Sequence, residues 1–141
     1  MSDIALEQDN SARSRLQFIQ LDSHTVYDLE QAWQLINPAL DTILQEFYAH
    51  MRKLPQMAAL VGSREKQLAN AQRMHWEKVF SGRFDEEYDQ SVYRIGMAHV
   101  RIGLTPSFYI GGYTFILNKL TAYILGQFRF RPRRAVPLLQ A

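Results

Sequence analysis

The stretch Gly96-Met97-Ala98-His99-Val100-Arg101-Ile102-Gly103-Leu104 decides how this chain folds, because a helical period of apolar residues runs into it. Around His99 the apolar positions are Tyr88, Val92, Ile95 and Ile102. With His99 included, successive positions are four, three, four and three residues apart, which predicts one face of an α-helix. His99 therefore stands where the pattern calls for an apolar side chain. Two interpretations are open: a core histidine hydrogen-bonded to a neighbour, or an imidazole presented to a metal centre in an apolar pocket.

Length and composition indicate one soluble domain. The chain has 141 residues, of which 47% are hydrophobic and 21% charged, and its net charge of +2 gives no bulk attraction toward nucleic acid. It contains no cysteine, which excludes disulfides, thiolate catalysis, iron–sulfur clusters and cysteine-based zinc sites. The polar, acidic residues 1–10 are expected to form a tail rather than a signal peptide. No apolar run reaches the roughly 20 residues of a membrane span, so a cytoplasmic location is expected.

The first part of the chain predicts helices separated by proline. Residues 11–20 are expected to form a short helix, and Thr25 is predicted to cap the next one. That helix is predicted to end at Asn37-Pro38, where a second begins with the asparagine as its N-cap and runs to about Arg52. The residues from there to Gly62 are expected to be a connector.

Residues 64–80 form the next predicted helix, with Ser63 as its N-cap. The positions expected to face inward are Leu68, Ala71, His75 and Val79. After a break at Ser81-Gly82, the acidic trio Asp85-Glu86-Glu87 is expected to open the helix that carries His99, because negative charge stabilises a helix N-terminus.

The helix predicted to start at Thr105-Pro106 is apolar on more than one side. This width indicates burial on two sides, as at a subunit interface, with Ile116 and Tyr123 on the outward side. Gly111-Gly112 lies within the helical pattern and is expected to let another helix approach closely. We therefore expect a homodimer through this helix and the apolar segment 135–141.

Four arginines separate these last two segments: Arg129, Arg131, Arg133 and Arg134. A solvated interhelical loop is favoured over a nucleic-acid or lipid contact, because the cluster is short and isolated. Nothing in the sequence indicates a strand pair or an internal repeat, so the predicted fold class is all-α, with about seven helices. The expected division is a tail and short helix over residues 1–22 and one domain over residues 23–141.

The motifs of common enzyme classes are missing from the sequence. There is no supportable Ser-His-Asp order, no glycine-rich phosphate loop and no His-Glu-x-x-His. Of the histidines, His24 and His50 fall at helix margins and are expected at the surface. His75 and His99 lie on different predicted helices, so they could face each other across a pocket, as two ligands or as one ligand and its distal partner.

Several short motifs follow one another in a specific order. They are His75-Trp76, Phe84-Asp85-x-x-Tyr88, His99-Val100-Arg101-Ile102-Gly103-Leu104-Thr105-Pro106 and Phe108-Tyr109-Ile110-Gly111. In this combination the chain resembles the globin domain of the globin-coupled sensors, which are haem-based oxygen sensors, over about residues 29–120. The resemblance implies a globin fold, whose helices pack at large crossing angles around a haem, with the last helix truncated.

The resemblance also assigns roles to individual residues. His99 resembles the proximal ligand, with Nε2 on the iron of haem b. Tyr48 resembles the distal tyrosine whose hydroxyl donates to bound O₂, and Leu68 the distal leucine that controls access. Tyr109 resembles the tyrosine beside the proximal histidine, whereas His75 is interpreted as a structural residue. The other residues assigned to the haem pocket are Ala71, Ile95 and Ile102.

These assignments predict a haem-based gas-sensor domain for O₂, which also binds CO or NO, is fused to a signalling output module and has no turnover of its own. A diguanylate cyclase is the expected output, with a histidine kinase or a chemotaxis transducer as the alternative. Two further hypotheses stay open. One is a stand-alone globin that carries O₂ or oxidises NO, and the other is a haem-free helical interaction module in which His99 belongs to the core.

Overall fold

The structure is a computed structural model that describes residues 12–129 and 132–141. These residues form seven α-helices and one short 3₁₀ turn, Pro132–Arg134, with no strand among them. The helices are α1 Ala12–Phe18, α2 Ser23–Met51, α3 Pro55–Val61, α4 Glu65–Phe80, α5 Glu86–Arg101, α6 Pro106–Gln127 and α7 Ala135–Gln140. The all-α prediction is confirmed. The predicted tail over residues 1–10 and the arginine at position 131 lie outside the described residues.

Helix α2 runs without a break through the proline that was predicted to end it. Its N-cap is Asp22, whose Oδ1 accepts the backbone N–H of Thr25 at 2.8 Å, so the predicted cap at Thr25 is wrong. The predicted division into two helices at Pro38 is also wrong. A proline inside a helix costs about 3 kcal/mol, but Ile36 and Leu40 on either side of it are buried. Core packing along both halves therefore outweighs the lost hydrogen bond.

The core lies between α2 and the helices that pack on it. Residues buried from α2 are Leu29, Ala32, Ile36, Leu40, Ile43, Leu44, Phe47 and Tyr48. Trp76 and Phe80 of α4 are buried on one side of this helix, and Phe80 stacks on Trp33 with ring centroids 5.7 Å apart. Arg73 of α4 donates to Asp41 Oδ1 at 2.9 Å and to Asn37 Oδ1, so the asparagine predicted to be a cap instead joins two helices.

The predicted connector before Gly62 is largely helix α3, which starts at Pro55 and buries Met57 and Val61. Helix α4 follows with Arg64 rather than Ser63 at its N-cap, so that prediction is wrong by one residue.

The predicted inward face of α4 is also displaced. Ala71 is exposed, while Leu68, His75 and Val79 are half-buried. The fully buried residues of α4 are Trp76 and Phe80. The reason is that α4 has two apolar sides, of which the one bearing the large rings packs on α2.

Helix α5, which carries His99, begins as the acidic trio predicts. Asp85 is its N-cap and its Oδ1 accepts the backbone N–H of Tyr88 at 2.9 Å. None of its residues is fully buried. On its apolar face Tyr88, Ile95 and His99 are half-buried, whereas Val92 is 39% exposed. Ion pairs with other elements, Arg15–Asp89 and Lys78–Glu87, lie at the surface.

Helix α6 starts at Pro106 with Thr105 as its N-cap, as predicted. Its inner face buries Ile116, Leu120 and Ile124, so the prediction that Ile116 faces outward is wrong, and Tyr123 is half-buried. The close approach predicted at the glycine pair occurs at the second glycine, because a Cβ on Gly112 would lie 3.4 Å from the ring of Phe47 on α2.

Helix α7 packs on the first half of α2 and buries Ala135. Gln140 and Ala141 line a small cleft together with Asp22 and Thr25 at the start of α2. Arg133 and Arg134, before this helix, are exposed. Among the described residues, no helix is long and apolar enough to cross a membrane.

Candidate functional site

The imidazole of His99 is held in one tautomer by its own helix. Nδ1 lies 2.8 Å from the backbone carbonyl oxygen of Ile95, one turn earlier. Because a carbonyl oxygen only accepts, Nδ1 carries a proton and donates it, and in the neutral imidazole Nε2 is then the nitrogen that keeps its lone pair. Within the described part of the chain Nε2 has no hydrogen-bond partner. A neutral imidazole whose other nitrogen is fixed by a carbonyl is the form in which histidine binds a metal.

Tyr109, in the first turn of α6, contacts His99 directly. The two rings meet edge to face with centroids 5.0 Å apart. The contact joins α5 to α6 across the turn that contains Gly103, whose φ of +72° favours glycine. Of the residues assigned to the site by resemblance, these two are therefore brought together by the structure.

Tyr113, which sequence reasoning missed, extends this contact toward α4. Its ring lies 5.1 Å from that of Tyr109 and 5.7 Å from that of Trp76, and its hydroxyl lies 3.1 Å from His75 Nε2. Burial raises the pKa of Tyr113, and burial lowers the pKa of His75 below its ordinary value of 6.5. The available signal was its position one helical turn after Tyr109.

The hydrogen bond to Tyr113 bears on the predicted alternatives for His75. Its Nε2 already has a partner, and its Nδ1 is buried without one. Its ring also lies beside that of Trp76, with centroids 6.0 Å apart. This placement favours the structural interpretation of His75 over a second ligand.

Tyr48 lies near the end of α2 with its side chain only 3% exposed. Its hydroxyl has no hydrogen-bond partner among the described residues. Burial raises the pKa of Tyr48 to about 12, so the phenol stays protonated at neutral pH and is able to donate. The structure shows no ring contact or hydrogen bond between Tyr48 and His99.

The other assigned residues differ in burial. Leu68, in the first turn of α4, is half-buried against the core, and Ile95 is half-buried on α5. Ala71 is exposed, and Ile102, just past the end of α5, is 42% exposed. One helical turn after Leu68, Gln72 has a buried side-chain oxygen without a partner, a feature that the apolar pattern of α4 gave no reason to expect.

The donor set fits a haem better than a metal held by protein ligands alone. In the part of the chain that the structure describes, no three His, Cys, Asp or Glu residues are grouped so that they could hold an ion. His99 offers a single nitrogen, and a single axial imidazole suffices where a porphyrin supplies the remaining ligands. A separate cleft between α2 and α4, lined by Trp33, Gln34 and Phe80 among others, contains none of the assigned residues.

Comparisons with known proteins identify the family and the fold of the chain. The model of the family described as Protoglobin matches residues 8–141. The heme-based aerotactic transducer HemAT of Halobacterium salinarum is 30% identical over 103 residues, which are 71% of this chain and 21% of that protein. The chain therefore spans about a fifth of this relative's length. The globin domain of the Geobacter sulfurreducens globin-coupled sensor superposes with a TM-score of 0.80 at 17% identity, covering 89% of this chain and 83% of that chain. The predicted globin fold is thereby confirmed.

Proposed function

The chain belongs to the Protoglobin family, and on that premise we propose that it is a haem-binding gas-sensor domain that passes its signal to an output module. The observation that carries the proposal is the tautomer of His99, whose Nδ1–H is donated to the Ile95 carbonyl so that Nε2 is available. We propose His99 as the proximal ligand of haem b. The similarity to a heme-based aerotactic transducer supports this proposal.

The haem iron supplies the site at which O₂, CO or NO binds. The protein's part is to orient the His99 imidazole and to shield the site from water. The Ile95 carbonyl fixes the plane and tautomer of His99, and the edge of Tyr109 limits its rotation. With haem bound, the Tyr48 hydroxyl would donate to O₂ at the iron, where partial negative charge would develop on the ligand, and Leu68 would restrict the entry of water. Ile95, Ile102 and Ala71 supply apolar surface at the site.

The experiment that tests this proposal is the replacement His99→Ala. The purified protein is expected to contain haem b, measured by its Soret band and by its pyridine haemochrome, and the variant is expected to lose stable haem incorporation. His24→Ala is the matched control, because His24 is an exposed histidine at the start of α2 with 78% of its side chain accessible. An unchanged ferrous spectrum in the His99 variant would exclude this residue as the ligand.

We also propose that the domain forms a homodimer through α6 and α7. Ile110, Leu117 and Leu125 form an apolar stripe along one face of α6, with 63%, 51% and 46% of their surfaces exposed. Val136 of α7 is 49% exposed as well. A two-fold axis would bury this stripe against its own copy, which is the commonest arrangement of homo-oligomers. Since Tyr109 contacts His99 at the start of the same helix, a shift of α5 would reach the stripe directly.

Sedimentation velocity tests the dimer. Leu117→Glu places a charge in the stripe and is expected to yield monomers at concentrations at which the unchanged protein is dimeric. Met74→Glu is the control, since Met74 is an exposed apolar residue on α4, 64% accessible and outside the stripe. A Leu117→Glu variant that dimerises as well as the control would place the interface elsewhere.

The type of output module is a finer proposal. We keep a diguanylate cyclase as the predicted output, and the similarity to an aerotactic transducer favours a chemotaxis transducer as the second candidate. The coding sequence beyond Ala141 distinguishes these two from each other and from a stand-alone globin.

A further inference from the structure

A row of neighbouring rings starts at the proposed haem ligand. Its tyrosines and tryptophans are readily oxidised by one electron. From His99 the row passes through Tyr109, Tyr113 and Trp76, with successive ring centroids 5.0, 5.1 and 5.7 Å apart. Phe80 then bridges Trp76 to Trp33, which lines the cleft between α2 and α4. Apart from the sulfur-containing side chains, tyrosine and tryptophan are the side chains most easily oxidised by one electron. Rings at contact distance exchange electrons rapidly.

Within this row, Tyr113 has a base beside its hydroxyl. Its oxygen lies 3.1 Å from His75 Nε2. A phenol is a much stronger acid than a neutral imidazole, and an imidazole nitrogen is a much stronger base than a phenol oxygen. We therefore infer that the bond runs from the O–H to Nε2, which places the proton of His75 on Nδ1, the nitrogen that is buried without a partner. Burial lowers the pKa of His75, which keeps this imidazole neutral at pH 7, so that one of its nitrogens carries a free lone pair.

This arrangement matters because oxidising a phenol by one electron makes it a very strong acid. A buried tyrosine without an acceptor is hard to oxidise, since its proton has nowhere to go. The hydrogen bond to His75 removes that obstacle for Tyr113. Tyr109, its neighbour in the row, has no imidazole nitrogen at hydrogen-bond distance in the described residues.

We propose that Tyr113 is a redox-active tyrosine, which gives one electron through Tyr109 toward the His99 side and gives its phenolic proton to His75 Nε2. This inference rests on the proposed haem site. The oxidant is hydrogen peroxide, and the reaction is written for two protein molecules. Two Tyr113 phenols lose two electrons and become neutral phenoxyl radicals, while two His75 side chains become imidazolium ions. One peroxide takes the two electrons and two protons from solvent and becomes two waters.

The row then has a protective function. Once Tyr113 has been oxidised, the radical is able to move outward to Trp76 and then, across Phe80, to Trp33. Solutes in the cleft can reduce it there. Without such a route, the nearest side chains to be damaged would be those of the haem site itself.

The test uses the haem-loaded protein, mixed with hydrogen peroxide and frozen for electron paramagnetic resonance. The expected result is a tyrosyl radical signal that is lost in Tyr113→Phe and retained in Tyr93→Phe, whose ring is 69% exposed on α5. His75→Gln is expected to lose the signal as well, although Tyr113 is still present. In the unchanged protein, a nitroso spin trap followed by peptide mass mapping is expected to label Tyr113.

Two further measurements on the unchanged protein test the inference even if a variant folds poorly. In ¹⁵N spectra of the unchanged protein, His75 Nε2 is expected to carry no proton, and a protonated Nε2 would overturn the inference. A Soret band with no trap adduct at Tyr113 would overturn it while leaving the proposed function intact. A preparation without a Soret band would overturn the proposed function, and the inference with it.

Discussion

Helices α2 and α5 hold the two sides of the proposed site in opposite ways. Eight residues of α2 are buried, and no residue of α5 is. Helix α5 is fastened instead by its cap at Asp85, by surface ion pairs and by the ring contact between His99 and Tyr109. Burial therefore fixes the helix that carries Tyr48, whereas the helix that carries His99 is held by half-buried residues and by contacts near the surface.

The largest expected difference between the two helices is in the free energy of unfolding. Leu40→Ala on α2 removes a side chain with 0% exposure and is expected to destabilise the protein by about 2–5 kcal/mol. Ile95→Ala on α5 removes a half-buried side chain and is expected to cost distinctly less. Denaturant unfolding of the haem-free protein measures both. Equal losses would show that α5 contributes to the core as much as α2 does.

Tyr48 is the buried residue of α2 that we propose to line the site, so its replacement separates packing from chemistry. Tyr48→Phe keeps the buried ring and removes the hydroxyl. A hydrogen bond to a charged or strongly polar group is worth about 1.5–3 kcal/mol, so the O₂ dissociation rate is expected to rise about ten- to hundredfold. Bound CO carries less charge and should respond less.

Flash photolysis and stopped flow give the two dissociation rates for this variant. Tyr27→Phe is the matched control, because Tyr27 lies on the same helix with 59% exposure. Comparable changes for O₂ and CO would indicate a steric effect and contradict the hydrogen bond.

The smallest expected difference is in stability, between alanine variants of the glycine turns at the two ends of α5. Gly82 and Gly103 have φ values of +67° and +72°, so an alanine at either costs about 1–2 kcal/mol of backbone strain. A Cβ at Gly82 would lie 2.5 Å from Val26 Cγ1 of α2, whereas a Cβ at Gly103 meets nothing within 4 Å. Overpacking should make Gly82→Ala worse than Gly103→Ala by about 1 kcal/mol. Equal melting temperatures for the two variants would show that Val26 moves aside freely.

Signals that depend on a few neighbouring residues predicted the starts of α5 and α6, although they misplaced the N-caps of α2 and α4. The start of α5 follows from the short side chain of Asp85 and from the acids of the first turn, and the start of α6 follows from Pro106, all of which act within one turn. The helical period around His99 likewise predicted α5. The resemblance then supplied the fold, which the structure confirms, and the site residues, whose roles remain predictions.

Predictions failed where distant contacts decide. Pro38 stays inside α2 because the core holds the helix on both sides of it, and no local rule contains that energy. Ile116 faces inward because α6 turns that side to α2, which an almost uniformly apolar helix does not reveal. Tyr113 was missed because its partner, His75, lies 38 residues away in sequence. A helical period of apolar residues shows which residues share a face of the helix. It does not show which other part of the protein packs on that face.

The continuity of α2 has a mechanical consequence. At about 1.5 Å per residue, its 29 residues make a rod about 43 Å long. Tyr48 lies near one end of the rod, and the other end lies beside the last residues of α7. Pro38 divides the rod into arms of nearly equal length. The guanidinium of Arg73 binds the rod at that point through its hydrogen bonds to Asn37 and Asp41. Because the helix is continuous, a small rotation about this point would displace both ends by similar distances, so α2 mechanically links the surroundings of Tyr48 to α7.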